Sequence, residues 1–259
     1  MKDNLTKEGI LAVLNAATFG HPLTVVAETA STNTDLRALA AAGAPEGTTL
    51  VAVTQTGGRG RRGRSFFSPT GGIYLSTLLR PAGHTRPELV TSCAAVAVAR
   101  AIERLCPLEV GIKWVNDLYA GGRKVCGILA EAGFTPAGDM DYIVLGVGIN
   151  VAPVEFSPEL RDIATSLGNE GCTPSRAALI AALLEEWERA YATMDSGEFL
   201  EESRRRSVVL GREVTVLQGA ETFPATAVAI TEDGHLLVRT AAGEHLLRAG
   251  EVSLRVSRE

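Results

Sequence analysis

The chain has 259 residues and a formal net charge of −5, with 46 % hydrophobic and 21 % charged residues. This composition is typical of a globular protein with one sizeable core and a small second domain. No apolar run reaches the roughly 18–20 residues that a membrane-spanning helix needs, and residues 1–20 lack the continuous apolar stretch of a signal peptide.

The cysteines and histidines carry no metal-binding spacing. The four cysteines form no CxxC pair and the four histidines form no HExxH motif, which argues against a zinc site, a metal hydrolase and a disulfide framework. We expect free, mostly buried thiols in a cytoplasmic protein. Because the chain is acidic overall, a local cluster of positive charge requires a local explanation.

The predicted elements place alternating strands and helices before a run of short strands. In chain order they are an amphipathic helix within residues 1–20, a strand at Leu23–Glu28, a helix over Thr34–Ala42, a strand at Thr49–Thr54, a loop at Gln55–Gly72, a strand at Ile73–Leu79, a helix over Arg86–Leu105, strands at Glu109–Trp114, Val125–Ala132 and Tyr142–Val147, a helix from Pro174 to about Met194, and short strands at Glu213–Leu217, Phe223–Ile230, His235–Arg239 and Glu244–Leu247. The pattern predicts an α+β body, residues 1–205, followed by a small β-barrel, residues 206–259.

The loop over Gln55–Gly72, here the arginine–glycine loop, holds four arginines within six residues: Arg59, Arg61, Arg62 and Arg64. Its GxGxxG spacing is typical of a Rossmann nucleotide site, but a strand follows it instead of a helix, which excludes that interpretation. Guanidinium groups bind phosphate and carboxylate in a bidentate way and keep their charge. Its position between two apolar strands disfavours a disordered nucleic-acid-binding tail. The loop therefore predicts a polyphosphate site beside a carboxylate.

Three further segments admit a structural and a chemical interpretation. Lys124 precedes an apolar strand, where it is either a solvated surface lysine or a group that stabilises a reacting carboxylate. Ser31–Asn33 provides an N-cap for the following helix, and it can also contact a ligand rich in acceptors. Asn150 ends a strand with an amide that we expect to be exposed, which either closes a turn or reads an adenine edge.

Together these segments resemble the biotin protein ligase family, also called biotin–[acetyl-CoA-carboxylase] ligases, over most of the chain. The matching motifs are STN at Ser31–Asn33, QTGGRGRRGR at Gln55–Arg64, SPTGGIYLS at Ser68–Ser76, KWVNDLYAGGRKVCGILAE at Lys113–Glu131, GVGINV at Gly146–Val151 and GEVSLR at Gly250–Arg255. The resemblance implies a class II synthetase-like mixed sheet flanked by helices, with a small SH3-like C-terminal barrel.

The resemblance also implies roles for individual residues. Biotin would contact Ser31, Thr32, Asn33, Gln55, Gly58, Arg59, Gly60, Arg61, Lys124 and Gly127. ATP or the adenylate would contact Arg61, Arg62, Arg64, Asn116, Asn150 and Arg255. Lys124, Arg61, Arg59 and Asp117 would take part in the chemistry, while no metal ligand is identified.

The implied reaction activates biotin with ATP and Mg²⁺ to biotinyl-5′-AMP, then transfers biotin to a lysine of a biotin carboxyl carrier protein or domain of a carboxylase. The alternatives are a lipoate–protein ligase and a non-catalytic biotin-sensing module. About twenty residues precede the first matching strand, so we expect no DNA-binding domain and no nucleic-acid or membrane partner, and a monomer or homodimer.

Three positions depart from the pattern that the resemblance implies: Val115 stands in place of proline, Phe66 in place of tryptophan and Ala152 in place of asparagine. The first two replace one apolar side chain by another and predict changes in packing. The third removes an amide from the side of the site assigned to the nucleotide. Because the adenylate hydrolyses readily, we also expect the arginine–glycine loop to be mobile without ligand and to order over it.

Overall fold

The computed structural model describes residues 5–81, 83–218, 221–248 and 252–256; the side chains of Arg62, Gln218 and residues 252–256 lie outside the description. Two β-sheets organise it: a seven-stranded sheet in the order β1-β2-β3-β7-β6-β5-β4 and a five-stranded sheet in the order β11-β10-β9-β8-β12. The strands of the first sheet are β1 (Leu23–Thr29), β2 (Thr49–Gln55), β3 (Ile73–Leu79), β4 (Gly111–Lys113), β5 (Asp117–Ala120), β6 (Arg123–Phe134) and β7 (Met140–Ile149). The helices are α1 (Lys7–Leu11), α2 (Thr32–Ala41), α3 (Val90–Leu105), α4 (Arg176–Ala192) and α5 (Phe199–Arg205).

The large sheet is mixed. Strands β1 and β2 run parallel because helix α2 connects them, and the remaining neighbours pair antiparallel. This mixed sheet with flanking helices, together with the small C-terminal antiparallel sheet, confirms the predicted fold class.

Helices cover both faces of the large sheet. On one face α2 packs against β2, β3 and β7 and closes a small core of Leu36, Ala40, Leu50, Leu78 and Val144. On the other face α3 contacts β4, β5 and β6, and α4 packs on α3. Alternation along the strands assigns side chains to the two faces, so Ser76 and Gly146 lie on the α2 face with Leu78 and Val144. The α2 face therefore carries polar groups beside its small core.

The C-terminal sheet consists of β8 (Glu213–Gln218), β9 (Glu221–Ile230), β10 (Leu236–Thr240), β11 (Gly243–Leu247) and β12 (Val252–Val256). It contacts the large sheet through Trp114, whose indole N–H donates to Gly234 O at 2.8 Å. Arg204 on α5 donates to Ile230 O at 2.9 Å. Helix α5 ends at Arg205, beside the predicted boundary between residues 205 and 206, which stays a prediction.

Most predicted strands lie within a few residues of the observed ones, but several elements differ. No element was predicted at β5, α5 and β12, which have only four, seven and five residues. The long helix begins at Arg176 with Ser175 as its capping residue, not at Pro174. Ser175 Oγ accepts from the N–H of Ala178 and so supplies the cap that defines the start.

The prediction that all four cysteines are free is wrong. Cys106, after the last turn of α3, forms a disulfide with Cys172, whereas Cys93 and Cys126 are free and buried. The two bonded residues are 66 positions apart, and the fold brings their Cα atoms to 5.8 Å. Sequence spacing does not reveal such a pairing, and the cysteines therefore no longer support a reducing compartment.

Candidate active site

A pocket on the α2 face of the large sheet collects most of the predicted site residues. It is lined by Ser31, Thr32, Asn33, Gln55, Arg59, Gly60, Arg61, Phe66, Leu75, Asn116, Lys124, Gly127, Ile128, Leu129, Gly146, Val147 and Gly148. We call it the polar pocket. Its lining comes from the first turn of α2, the end of β2, the arginine–glycine loop and strands β3, β6 and β7. Segments far apart in sequence therefore meet at one site.

The amino end of α2 contributes polar groups that are hydrogen-bonded to other residues of the protein. The backbone N–H and the hydroxyl of Thr32 both donate to Gln55 Oε1, at 2.9 and 3.1 Å. Gln55 Nε2 donates to Ser68 Oγ at 3.1 Å, which connects the end of β2 with the far side of the arginine–glycine loop. The fully buried Ser76 Oγ lies 2.8 Å from Thr32 Oγ1 and 2.6 Å from Asn33 Oδ1. Such a connected network fixes the orientation of its members before any ligand arrives.

The arginine–glycine loop has a defined path, and two of its arginines, Arg59 and Arg61, line the pocket. A bridge between Arg59 and Ser65 closes its tip, and residues Arg61–Gly63 form a single 3₁₀ turn. Arg61 donates to Asn116 Oδ1 at 2.8 Å. Asn116 is itself oriented by β6, because its Nδ2 donates to Ile128 O at 3.0 Å. The strand thus sets the direction of the guanidinium.

Lys124 on β6 forms an ion pair with Asp117 on the neighbouring strand β5 and is not a freely solvated lysine. Its Nζ lies 2.6 Å from Asp117 Oδ1, and the two side chains are 26 % and 23 % exposed. Tyr119 lies on β5 two residues after Asp117, and Lys113 Nζ donates to its hydroxyl at 3.4 Å. Burial, together with the charge of Asp117, raises the pKa of Tyr119 to about 12, so the phenol stays protonated. Lys124 and Arg61 are therefore cations of this pocket that polar partners hold in place, Asp117 and Asn116 respectively.

Glycines form the floor of the polar pocket and leave room for an aromatic ring. Gly127 on β6 pairs with Gly148 on β7. A Cβ atom on Gly148 would lie 2.6 Å from the Phe66 ring, and one on Gly127 would lie 3.1 Å from it. Phe66 also contacts Tyr74 edge to face, with ring centroids 6.5 Å apart, and its ring lies 5.8 Å from Lys124 Nζ. The phenylalanine that departs from the implied tryptophan thus packs on the pocket floor.

The structure brings together most predicted residues, but not all. All predicted biotin contacts line the polar pocket except Gly58, which packs inside the loop: a Cβ there would lie 2.6 Å from Phe66 O. Asn116 lines the pocket, whereas Arg64 is exposed outside it. Asp117 reaches the site through Lys124. The side chains of Arg62 and Arg255 lie outside the described residues.

Two expectations about side chains need correction. The amide of Asn150 is not exposed: the residue is 9 % exposed, and its Nδ2 donates to Thr165 O at 2.9 Å. The chain after β7 passes next to residues 165–168, so the amide is used to hold that segment. Ser31 is the N-cap residue of α2, as predicted, but its side chain makes no capping hydrogen bond, and the residue also lines the pocket.

Sequence reasoning missed the glycines of β7. Gly146 and Gly148 line the polar pocket, although the sequence directed attention to Asn150 at the end of the same motif. The signal was present, because two glycines spaced by two within a strand lie on one face and admit a closely approaching group.

Residues 25–150 match the Biotin/lipoate A/B protein ligase family, and residues 209–255 match the Biotin protein ligase C terminal domain. The chain is 36 % identical over 235 residues to the bifunctional ligase/repressor BirA of Bacillus subtilis, an alignment that covers 86 % of this chain and 71 % of that protein. The chain belongs to the biotin protein ligase family. It is also 34 % identical to a biotin–[acetyl-CoA-carboxylase] ligase of Mycobacterium tuberculosis, covering 93 % of this chain and 91 % of that protein.

Solved structures of this family share the fold. A biotin protein ligase from Aquifex aeolicus in complex with biotin and ATP is 31 % identical, with a TM-score of 0.80, and the match covers 91 % of this chain and 99 % of that one. A biotin protein ligase from Leishmania major in complex with biotin is 26 % identical, with a TM-score of 0.61 over 88 % of this chain and 98 % of that one. Both sheets of this chain thus fall within a fold known to bind these ligands in relatives.

Proposed function

We propose that this protein activates biotin with ATP to biotinyl-5′-AMP and transfers the biotinyl group to a lysine of a biotin carboxyl carrier protein or domain. The observation that carries the proposal is the convergence of the STN segment, the arginine–glycine loop and Lys124 on one pocket of a family member. The Thr32–Gln55 network provides hydrogen-bonding groups for a polar ring, and Arg61 and Lys124 provide charge for a carboxylate and a phosphate.

The first step joins two anions. The biotin carboxylate oxygen attacks the α-phosphorus of ATP, the bond to the β-phosphate oxygen breaks, and pyrophosphate leaves with the electron pair. Lys124 and Arg61 offset the repulsion between carboxylate and phosphate and stabilise charge on the transferring oxygens. Their positions are set in advance by Asp117 and Asn116, so that little reorganisation is needed.

The second step forms the amide. The neutral amine of the carrier lysine attacks the acyl carbon of the mixed anhydride, the bond to the phosphate oxygen breaks, AMP leaves and the nitrogen loses a proton. Water competes with the amine, so the site has to exclude it. The arginine–glycine loop lies against the pocket through Phe66 and Gln55, and we propose that it closes over both ligands.

Mg²⁺ enters this proposal with the phosphates of ATP. Among the described residues, no group of three or more histidine, cysteine, aspartate or glutamate side chains could hold a metal ion. The nearby carboxylate of Asp117 is paired with Lys124. The donor set therefore does not fit a protein-held metal, and no step is assigned to one.

We further propose a cytoplasmic protein whose partner is the carrier domain of a biotin-dependent carboxylase, without nucleic-acid binding and as a monomer or homodimer. Within the described ranges, no helix has both the length and the apolar character to cross a bilayer.

Pyrophosphate release tests the reaction. With ATP, Mg²⁺ and biotin we expect release to depend on biotin, and with a carrier domain we expect a covalent biotinyl-lysine detected by mass spectrometry. Lipoate is the second substrate to test, because the matched family includes lipoate ligases. Release with lipoate but not biotin would establish the alternative activity, and biotin binding without any release would identify a non-catalytic sensor.

A further inference from the structure

Asn33 lies over one row of paired residues that runs across strands β3, β7 and β6 at the polar pocket. In this row Gly146 of β7 pairs with Ser76 of β3 on one side and with Leu129 of β6 on the other. Asn33 Oδ1 lies 2.6 Å from Ser76 Oγ, and Asn33 Nδ2 donates to Leu129 O at 3.3 Å. The side chain therefore spans the row, and only 4 % of the residue is exposed.

The strongest contact of this amide is to Glu131, a residue that does not line the pocket. Asn33 Nδ2 donates to Glu131 Oε2 at 2.8 Å, while the other carboxylate oxygen lies 3.4 Å from Arg37 NH1. Glu131 follows Leu129 by two positions on β6, and Asn33 Nδ2 contacts both the backbone carbonyl of Leu129 and the side-chain carboxylate of Glu131. A hydrogen bond to a carboxylate is stronger than one between neutral groups.

Glu131, at 2.8 Å, is the nearer and the charged one of two acceptors that set which end of the amide faces which neighbour; the Leu129 carbonyl, at 3.3 Å, favours the same orientation more weakly. The Ser76 hydroxyl can donate or accept and so accommodates either orientation of the Asn33 amide. A carboxylate only accepts, and it therefore requires Nδ2 on its side and Oδ1 on the other. In this orientation Oδ1 is the Asn33 atom nearest the pocket floor, 2.1 Å from the position of a Cβ on Gly146, against 3.1 Å for Nδ2.

We infer that Glu131 is a positioning residue for substrate selection: through Asn33 it holds an acceptor at the pocket floor and so favours a ligand with N–H donors. This inference rests on the proposed function, since the ureido ring of biotin has two N–H groups and the dithiolane ring of lipoate has none. Glu131 itself touches no ligand. Glu131 therefore affects binding of the biotin ring and not the reaction at the biotin carboxylate.

The test is a kinetic comparison of two variants at the same position. Glu131→Ala removes the acceptor that orients Asn33, whereas Glu131→Gln retains an amide oxygen that can accept from Nδ2. We expect the KM for biotin to rise about tenfold in Glu131→Ala, the loss of one charged hydrogen bond, and to stay within about threefold of wild type in Glu131→Gln. The KM for ATP and kcat should change by less than about twofold in both. Binding of biotin alone, measured by calorimetry, should follow the KM.

Two controls separate this role from general damage. Arg37→Gln removes the exposed ion pair to Glu131 but not its bond to Asn33, and it should leave the biotin KM unchanged. In an Asn33→Ala background, Glu131→Ala should cause no further rise, because the residue it positions is gone. A further rise there, an equal change in the KM for ATP, or a Glu131→Gln variant as impaired as Glu131→Ala would overturn the inference. Failure of the wild type to release pyrophosphate with biotin would instead refute the proposed function.

Discussion

Gly146→Ala should damage biotin binding through one added methyl group. Gly146 lies in β7 beneath Asn33, and a Cβ atom there would lie 2.1 Å from Asn33 Oδ1. Ordinary van der Waals contact begins at 3.4 Å, so the amide has to move by at least about 1.3 Å. Such a shift displaces Oδ1 from the position in which it contacts Ser76 Oγ at 2.6 Å and lies at the pocket floor.

The size of the effect follows from the bonds that the shift breaks. Ser76 Oγ also lies 2.8 Å from Thr32 Oγ1 and so keeps a partner, and the loss falls on the hydrogen bond that Asn33 Oδ1 is proposed to accept from the ligand. One such bond contributes about 0.5–1.5 kcal/mol, so the KM for biotin should rise by up to about tenfold. The nucleotide is proposed to bind through other residues, so the KM for ATP should stay within about threefold of wild type.

Gly133→Ala is the matched control on the neighbouring strand. A Cβ atom on Gly133 would lie 2.2 Å from the ring of Tyr142, outside the polar pocket, so this variant creates a comparable collision away from the site. Biotin-dependent pyrophosphate release and thermal unfolding should be measured for both. We expect both to lose stability and only Gly146→Ala to lose biotin affinity. A wild-type biotin KM in Gly146→Ala, or an equal rise in Gly133→Ala, would refute the reasoning.

Three further predictions concern charge. Arg61→Ala should lose adenylate formation, measured as pyrophosphate release, while the free energy of unfolding falls by no more than about 1 kcal/mol for its bond to Asn116; normal release would contradict the role of Arg61. Asp117→Asn removes the charge that holds Lys124 Nζ, so the rate of adenylation should fall while biotin affinity, measured by calorimetry, is kept; a parallel loss of both would argue against it. Burial alone would raise the pKa of Glu202, but hydrogen bonds from two arginines outweigh it and lower the pKa. The ionised carboxylate therefore stabilises the fold above its unfolded pKa of about 4.3, and this contribution is lost as the pH falls. Glu202→Gln should consequently flatten the dependence of Tm on pH in that acidic range. An unchanged slope would contradict the prediction.

Apolar periodicity and turn residues were sufficient to predict the central strands of the fold. The fully buried strand β3 was predicted at its observed bounds, because a short, mostly apolar run of seven residues lies between two glycines and an arginine. Strand β5 was missed, since it has only four residues and its place in the sheet depends on pairing with β4 and β6. The disulfide between Cys106 and Cys172 was missed for the same reason, as only the fold brings these residues together.

Site residues could be predicted from the sequence where the chemistry requires an unusual residue type. They were harder to predict where their role depends on packing between strands. Arginine, lysine and the STN segment were recognisable in the sequence, and the structure places Arg61, Lys124 and Asn33 at one pocket. The use of Asn150 to hold a neighbouring loop, and of Glu131 to hold Asn33, depends on distances between strands. No local pattern encodes such distances. The mobility of the arginine–glycine loop stays a prediction.

The segment Lys113–Asp117 shows why a short motif can be so specific. Trp114 points away from the pocket and donates to Gly234 in the C-terminal sheet. Asn116 accepts from Arg61 and donates to β6, while Asp117 pairs with Lys124. Each residue thus connects the turn between β4 and β5 to a different part of the molecule. Since a one-residue shift would exchange these directions, the segment couples the position of the C-terminal sheet to the placement of both cations.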